Sequence, residues 1–307
     1  MVIASIDIGT NTVRLLIARK KGPCTFEFLL QKSRIARLGE GFLPQKILKP
    51  QAIQRTLEIL KEYLRLIVDF NVDKTVAVAT SATREALNKD ELLKEAEKLG
   101  LNIRVIDGDE EAELTHLGIM YFLNGRVKGK RWAAFDLGGG STEFMFSCGK
   151  NLKEAFSLPI GVVKLLEKHI KEDPPQEGEL VKAGDDFIGI LHERIKAKDN
   201  IDFIVANAGT TTTLAAIDLK LVNYDYRAVE GYILKKSVIE SILKNMVKMD
   251  SKHRLMRYSI LEKGREDVIV VGAYILKRVL EFFGKDYLIA TNGSLREGVI
   301  IKEFCSG

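Results

Sequence analysis

The chain has 307 residues, 46% of them hydrophobic and 29% charged, with a net charge of +5 and a pI of about 8.9. That length accommodates two domains with a sizeable core, and the composition is that of a soluble globular protein. No apolar run reaches the ~18 residues of a membrane span, so a membrane partner is not expected.

The N-terminus opens directly on a strand and shows no signal peptide. Three distant cysteines, Cys24, Cys148 and Cys305, suit reduced thiols in the cytoplasm, and none has metal-ligand spacing. Four scattered histidines (His116, His169, His192, His253) read as surface or structural. The positive charge could attract a polyanion, or it could be the mixed Lys/Glu surface of a heat-stable protein. No long basic block marks a nucleic-acid surface.

In chain order, residues 2–18 read as a hairpin and Phe26–Ile35 as a third strand. Gly39-Glu40-Gly41 is a loop. Pro50 opens a helix whose apolar face is Ile53, Leu57, Leu60, Leu64 and Ile67. Lys74–Ala79 is a buried strand running into a polar turn at residues 80–85, where Thr80 or Ser81 would cap a helix and Arg84 lies in its first turns. A helix at 90–99 and a strand at 103–106 follow. Asp109 is the expected cap of the next helix, with Glu110, Glu111 and Glu113 in its first turn. Those acids can simply complement the helix dipole, or one of them can act as a general base. Glu110 and Glu111 point about 100° apart, so they cannot both serve one pocket. Gly125–Gly129 reads as the hinge between a first domain, 1–125 with 295–307, and a second, 126–294.

The second half opens with Phe135–Glu143, a strand that breaks into Gly138, Gly139 and Gly140 and then Ser141 and Thr142. Helices are expected at about 162–172 and 178–197. The strand 201–206 delivers a turn with Gly209 and Thr210 to a helix start, which is either an anion site or a hydroxyl-capped helix. Helices at 235–249 and from Asp267, a strand at 287–291 and a final helix 294–304 complete the chain.

Residues 6–14 repeat the pattern of 135–143 at an offset of 129 residues, pairing Asp7 with Asp136, Gly9 with Gly138 and Thr12 with Ser141. Each copy is a hairpin with an acid and hydroxyls at its tip. Glycine amides form a concave anion site, and Asp136 and Glu143 offer hard oxygen ligands to a divalent cation. An ordinary glycine-rich turn is the plainer alternative. Two such units suggest two halves facing each other across a cleft.

Together these stretches resemble the exopolyphosphatase / guanosine pentaphosphate phosphohydrolase family. The matching pieces are 7–15, 79–88, 108–112, 135–143, 157–165, 208–210, 264–267 and 295–298. The resemblance implies an α/β fold of two ribonuclease-H-like (actin-like ATPase) domains, with mixed sheets flanked by helices and the active site in the interdomain cleft. It implies Glu111 as the base for attacking water, and Asp136 and Glu143 as acids for Mg²⁺ or another divalent cation. Terminal phosphates would be held by Thr10, Asn11, Thr12 and Arg14, by Gly138 to Thr142, by Gly209 and Thr210, and by Arg84 and Arg265. The implied substrates are inorganic polyphosphate and guanosine pentaphosphate, and a homodimer is allowed. A (p)ppGpp-binding sensor without turnover and an ATP-dependent kinase of the same fold are the alternatives. The chain departs from the family at Thr10 and Thr12, more often serine, and at Glu113, often arginine.

Overall fold

The computed structural model describes residues 1–123, 125–195 and 200–305. The chain divides into two compact units: Met1–Tyr121 with Gly293–Gly307, and Phe122–Asn292. The division falls at 121/122, ahead of the expected hinge at Gly125–Gly129. Of the expected first domain, residues 124, 306 and 307 lie outside the described residues, as do positions 196 and 197 of the helix expected at 178–197.

Unit 1 begins with β1 (Val2–Ile8), β2 (Thr12–Gly22) and β3 (Thr25–Ile35), then α1 (Pro50–Asp69), β4 (Lys74–Ala79) and α2 (Ser81–Glu85). It continues with α3 (Lys89–Lys98), β5 (Ile103–Val105) and α4 (Gly108–Leu123). The strand order is β3-β2-β1-β4-β5, with the first three antiparallel and the last two parallel to β1. Period-2 alternation gives this sheet two buried faces. Ala4, Ile6, Ile8, Val13, Leu15 and Ile17 pack against Ile53, Leu60 and Tyr63 of α1. On the other face Ile3, Leu16 and Ala18 meet Ile300 and Phe304 of α12 (Leu295–Cys305). Pro50 occupies the first turn of α1, where its missing N–H costs nothing.

Unit 2 repeats the plan. β6 (Arg131–Leu137), β7 (Thr142–Cys148) and β8 (Asn151–Leu158) form an antiparallel meander, followed by α5 (Val162–His169) and α6 (Glu177–Arg194). β9 (Phe203–Asn207), α7 (Ala208–Asp218), α8 (Tyr226–Val229), β10 (Ile233–Lys235) and α9 (Lys236–Met246) come next. α10 (Ser251–Arg257), α11 (Val268–Phe282) and β11 (Tyr287–Ala290) close the unit. The order β8-β7-β6-β9-β11 matches that of unit 1 strand for strand, and β10 adds an antiparallel edge. Both sheets have the ribonuclease-H-like 3-2-1-4-5 order. Phe135, Leu137 and Phe144 anchor the core face of unit 2 against α5, α6 and α11.

Three expectations are corrected. Cys24 and Cys305 form a disulfide across 281 residues of chain, and only Cys148 remains a free thiol. The two Cys residues are far apart in sequence, but the packing of α12 on β2 and β3 brings them together. The cap of α4 is Asp107, whose Oδ1 accepts from the Glu110 amide at 2.8 Å; Asp109 lies two residues further on, within the first turn. Thr80 occupies the cap position of α2 without a side-chain capping bond, and the Ser81 hydroxyl turns to Glu85 instead. Among the described residues no helix is long and apolar enough to cross a membrane.

Candidate active site

In unit 1 the tip of the first hairpin is a tight turn, with the Gly9 amide donating to the Thr12 carbonyl at 3.0 Å. The loop after β3 clasps it. Ala36 and Arg37 amides donate to the Asn11 carbonyl, and the Gly39 amide donates to the Thr10 carbonyl. Thr10 and Thr12 are buried by this contact. Below the tip Asp7 and Arg14 are register partners across β1 and β2, and Arg14 Nη1 lies 3.6 Å from Asp7 Oδ2.

The same unit brings together Arg84 and Glu111. Arg84, at the end of α2, places Nη1 2.9 Å from Glu111 Oε2 and 3.0 Å from the Ile106 carbonyl. Glu111 is buried, so a carboxylate there needs a charged partner. The two neighbouring glutamates diverge as helix geometry requires. Glu110 faces Arg104 and Lys302 on the surface, whereas Glu111 turns inward. Glu113 is exposed.

Unit 2 builds an equivalent tip with different chemistry. The Gly138 amide donates to the Asp136 carbonyl, and the N-terminal amides of α5 reach into the loop: Val162 to Gly138, Val163 to Gly139. Gly161 backs this contact, and a Cβ there would overlap Gly138 and Gly139. The Thr142 hydroxyl donates to the Ile160 carbonyl at 2.7 Å. Its proton therefore fastens the loop rather than pointing outward. The dipole of α5 is likewise spent on loop carbonyls.

Asp136 and Glu143 stand directly opposite each other across β6 and β7. Both are buried. Asn207, the register partner of Asp136 on β9, donates Nδ2 to Asp136 Oδ2 at 3.0 Å. Ser157 donates to Glu143 Oε1 at 2.7 Å. Like charges facing across a ladder destabilise it unless a cation intervenes. Oxygen-only donors suit Mg²⁺, which is bound through one or two carboxylates with water and phosphate filling its other positions. Among the described residues no three His, Cys, Asp or Glu gather into a metal cage. The two facing carboxylates fit a cation bound in that way.

Beyond Asn207 the chain turns sharply, with Ala208 at φ +71°. Such a conformation is rare for a residue with a Cβ and clusters at functional sites. Gly209 follows, and its bare backbone seats the Arg265 guanidinium; a Cβ there would overlap it. Arg265 is steadied by Glu262, Nε to Oε2 at 3.3 Å. Thr210 is buried against Gly272 of α11. Sequence reasoning overlooked Asn207, Ser157 and the residue-161 turn. Asn207 could have been found as the last residue of a strand leading into a glycine-rich helix start.

Two units of matching strand order, each tipped by a polar hairpin beside a buried acid, define a duplicated α/β protein of the ribonuclease-H-like kind. Residues 16–306 match the Ppx/GppA phosphatase family, and the chain belongs to it. It is 30% identical over 97% of its length to "Exopolyphosphatase 2" of Mycobacterium tuberculosis, and it spans 97% of that protein. It is 34% identical to the "Bifunctional 3-dehydroquinate synthase/phosphatase" of Fusobacterium nucleatum, again over 97% of this chain but only 46% of that protein's length. The crystal structure of the Aquifex aeolicus Ppx/GppA family member superposes with a TM-score of 0.80 at 38% identity, covering 99% of this chain and 97% of that one.

Proposed function

We propose that this phosphatase-family protein is a divalent-metal-dependent hydrolase of terminal phosphoanhydrides, acting on inorganic polyphosphate, guanosine pentaphosphate or both. One observation carries the reading: Glu111, a buried carboxylate, is held 2.9 Å from Arg84, a cation suited to phosphate. The exopolyphosphatase relative supports the polyphosphate arm, and both substrates end in the same bond.

Phosphoryl transfer of this kind needs charge stabilisation and an in-line water more than covalent chemistry. Mg²⁺ held by Asp136 and Glu143 would supply neutralisation of the phosphate oxygens when bound. Glu111 orients the water and takes its proton at Oε2, so the carboxylate must be ionised at the start of the step. Arg84 exchanges part of its bond to Glu111 for a phosphate oxygen. Within unit 1, Thr10, Asn11, Thr12 and Arg14 offer donors to phosphate oxygens; within unit 2, the loop Gly138–Ser141 with Gly209, Thr210 and Arg265 offers a set of its own. Thr142 keeps its loop in place through Ile160.

Orthophosphate release by wild type and Glu111→Ala tests the assignment. A fall of about 10²–10⁴-fold is expected for loss of a general base. Equal rates on both substrates would show that Glu111 is not the base.

A further inference from the structure

The partner of the strand acid differs between the two units. In unit 2, Asp136 lies in a row with Glu143 on one neighbouring strand and Asn207 on the other. The 129-residue offset carries that row onto Asp7, Arg14 and Val78, and the ladder registers of unit 1 place these three in the same relation. Glu143 thus corresponds to Arg14, and Asn207 to Val78. Cross-strand partners share a face of the sheet, so the two rows present different chemistry from one backbone frame.

The unit 2 row offers two carboxylates and an amide, all oxygen donors. The unit 1 row offers one carboxylate already 3.6 Å from a guanidinium, beside a valine with no donor at all. An arginine is charged at every working pH and presents a flat fork to phosphate. Its side chain keeps 20% exposure against 8% for Asp7, so the acid is covered while the cation reaches toward solvent. A divalent ion at this place would meet a like charge.

Building on the metal reading above, we propose that the chain holds one divalent cation, at the unit 2 row, and that Arg14 is the built-in cation at the equivalent place in unit 1. Unit 1 then contributes a permanent positive charge that does not depend on metal supply, and unit 2 contributes one that does.

Counting bound Mn²⁺ by electron paramagnetic resonance during titration tests this, with folding checked by circular dichroism. Wild type and Asp7→Asn are expected to bind one ion, Asp136→Asn none, and Arg14→Glu/Val78→Asn two. Two ions in wild type, loss of the ion in Asp7→Asn, or a folded double variant that still binds one would overturn the proposal. If the double variant does not fold, the contrast between Asp7→Asn and Asp136→Asn decides. A wild type that binds no Mn²⁺ removes the metal reading itself and this proposal with it, an outcome distinct from every other.

Discussion

Arg84 Nη1 and Glu111 Oε2 lie 2.9 Å apart, with side-chain exposures of 22% and 10%. Neither group can be removed without consequence for the other. Arg84→Ala leaves a covered carboxylate without its cation, which costs more than losing both charges together. Urea unfolding should show Arg84→Ala destabilised by about 1–3 kcal/mol, with Arg84→Ala/Glu111→Ala less destabilised than the single variant. Additive losses would mean that the pair is not coupled. In kinetics, Arg84→Ala should also raise KM, because the proposed phosphate contact would go with the side chain.

Gly209 leaves room for the Arg265 guanidinium over the start of α7. Gly209→Ala should displace that guanidinium and mimic Arg265→Ala in phosphate release. The double variant should be no worse than either single, since both remove the same contact. Multiplying defects would place the two residues in separate functions.

The Cys24–Cys305 disulfide ties the end of α12 to the turn between β2 and β3. It closes a loop of most of the chain, and such links contribute about 2–4 kcal/mol, chiefly through the unfolded state. Cys305→Ser, or wild type in excess dithiothreitol, should unfold at lower temperature by several degrees. Identical melting with and without reductant would show that α12 is held by its apolar face alone.

His116 is buried in α4, and burial lowers its pKa to about 4 from 6.5. The folded state therefore keeps it neutral where the unfolded chain takes up a proton. Stability from this group is complete above about pH 6.5 and is lost as pH falls toward 4, by about 3 kcal/mol in all. His116→Leu should flatten the fall in unfolding free energy between pH 7 and pH 4 by about that amount. Parallel curves for variant and wild type would contradict the neutral assignment.

Much of the fold is legible in the sequence because its signals are local. The repeated acid–turn–hydroxyl pattern marks both hairpins. The spacing of Ile53, Leu57 and Leu60 marks α1, and the punctuation at Pro50 marks its start. Arg84 and Glu111 are individually visible, and their contact follows from two helix starts at the ends of neighbouring strands. What the sequence does not display depends on register and long-range closure. The opposition of Asp7 with Arg14, the Thr142 bond to Ile160 and the Cys24–Cys305 link each require knowing which strand or helix lies beside which. Asp109 looked like the cap of α4 because acids crowd that turn, and backbone geometry chose Asp107, two residues earlier.

The most direct measurement is orthophosphate release from long-chain polyphosphate and from guanosine pentaphosphate, side by side, with Mg²⁺ and with EDTA. Release from at least one of them with Mg²⁺, abolished by EDTA, is the predicted result. Full activity in EDTA, or no release from either substrate with Mg²⁺ present, would contradict the account.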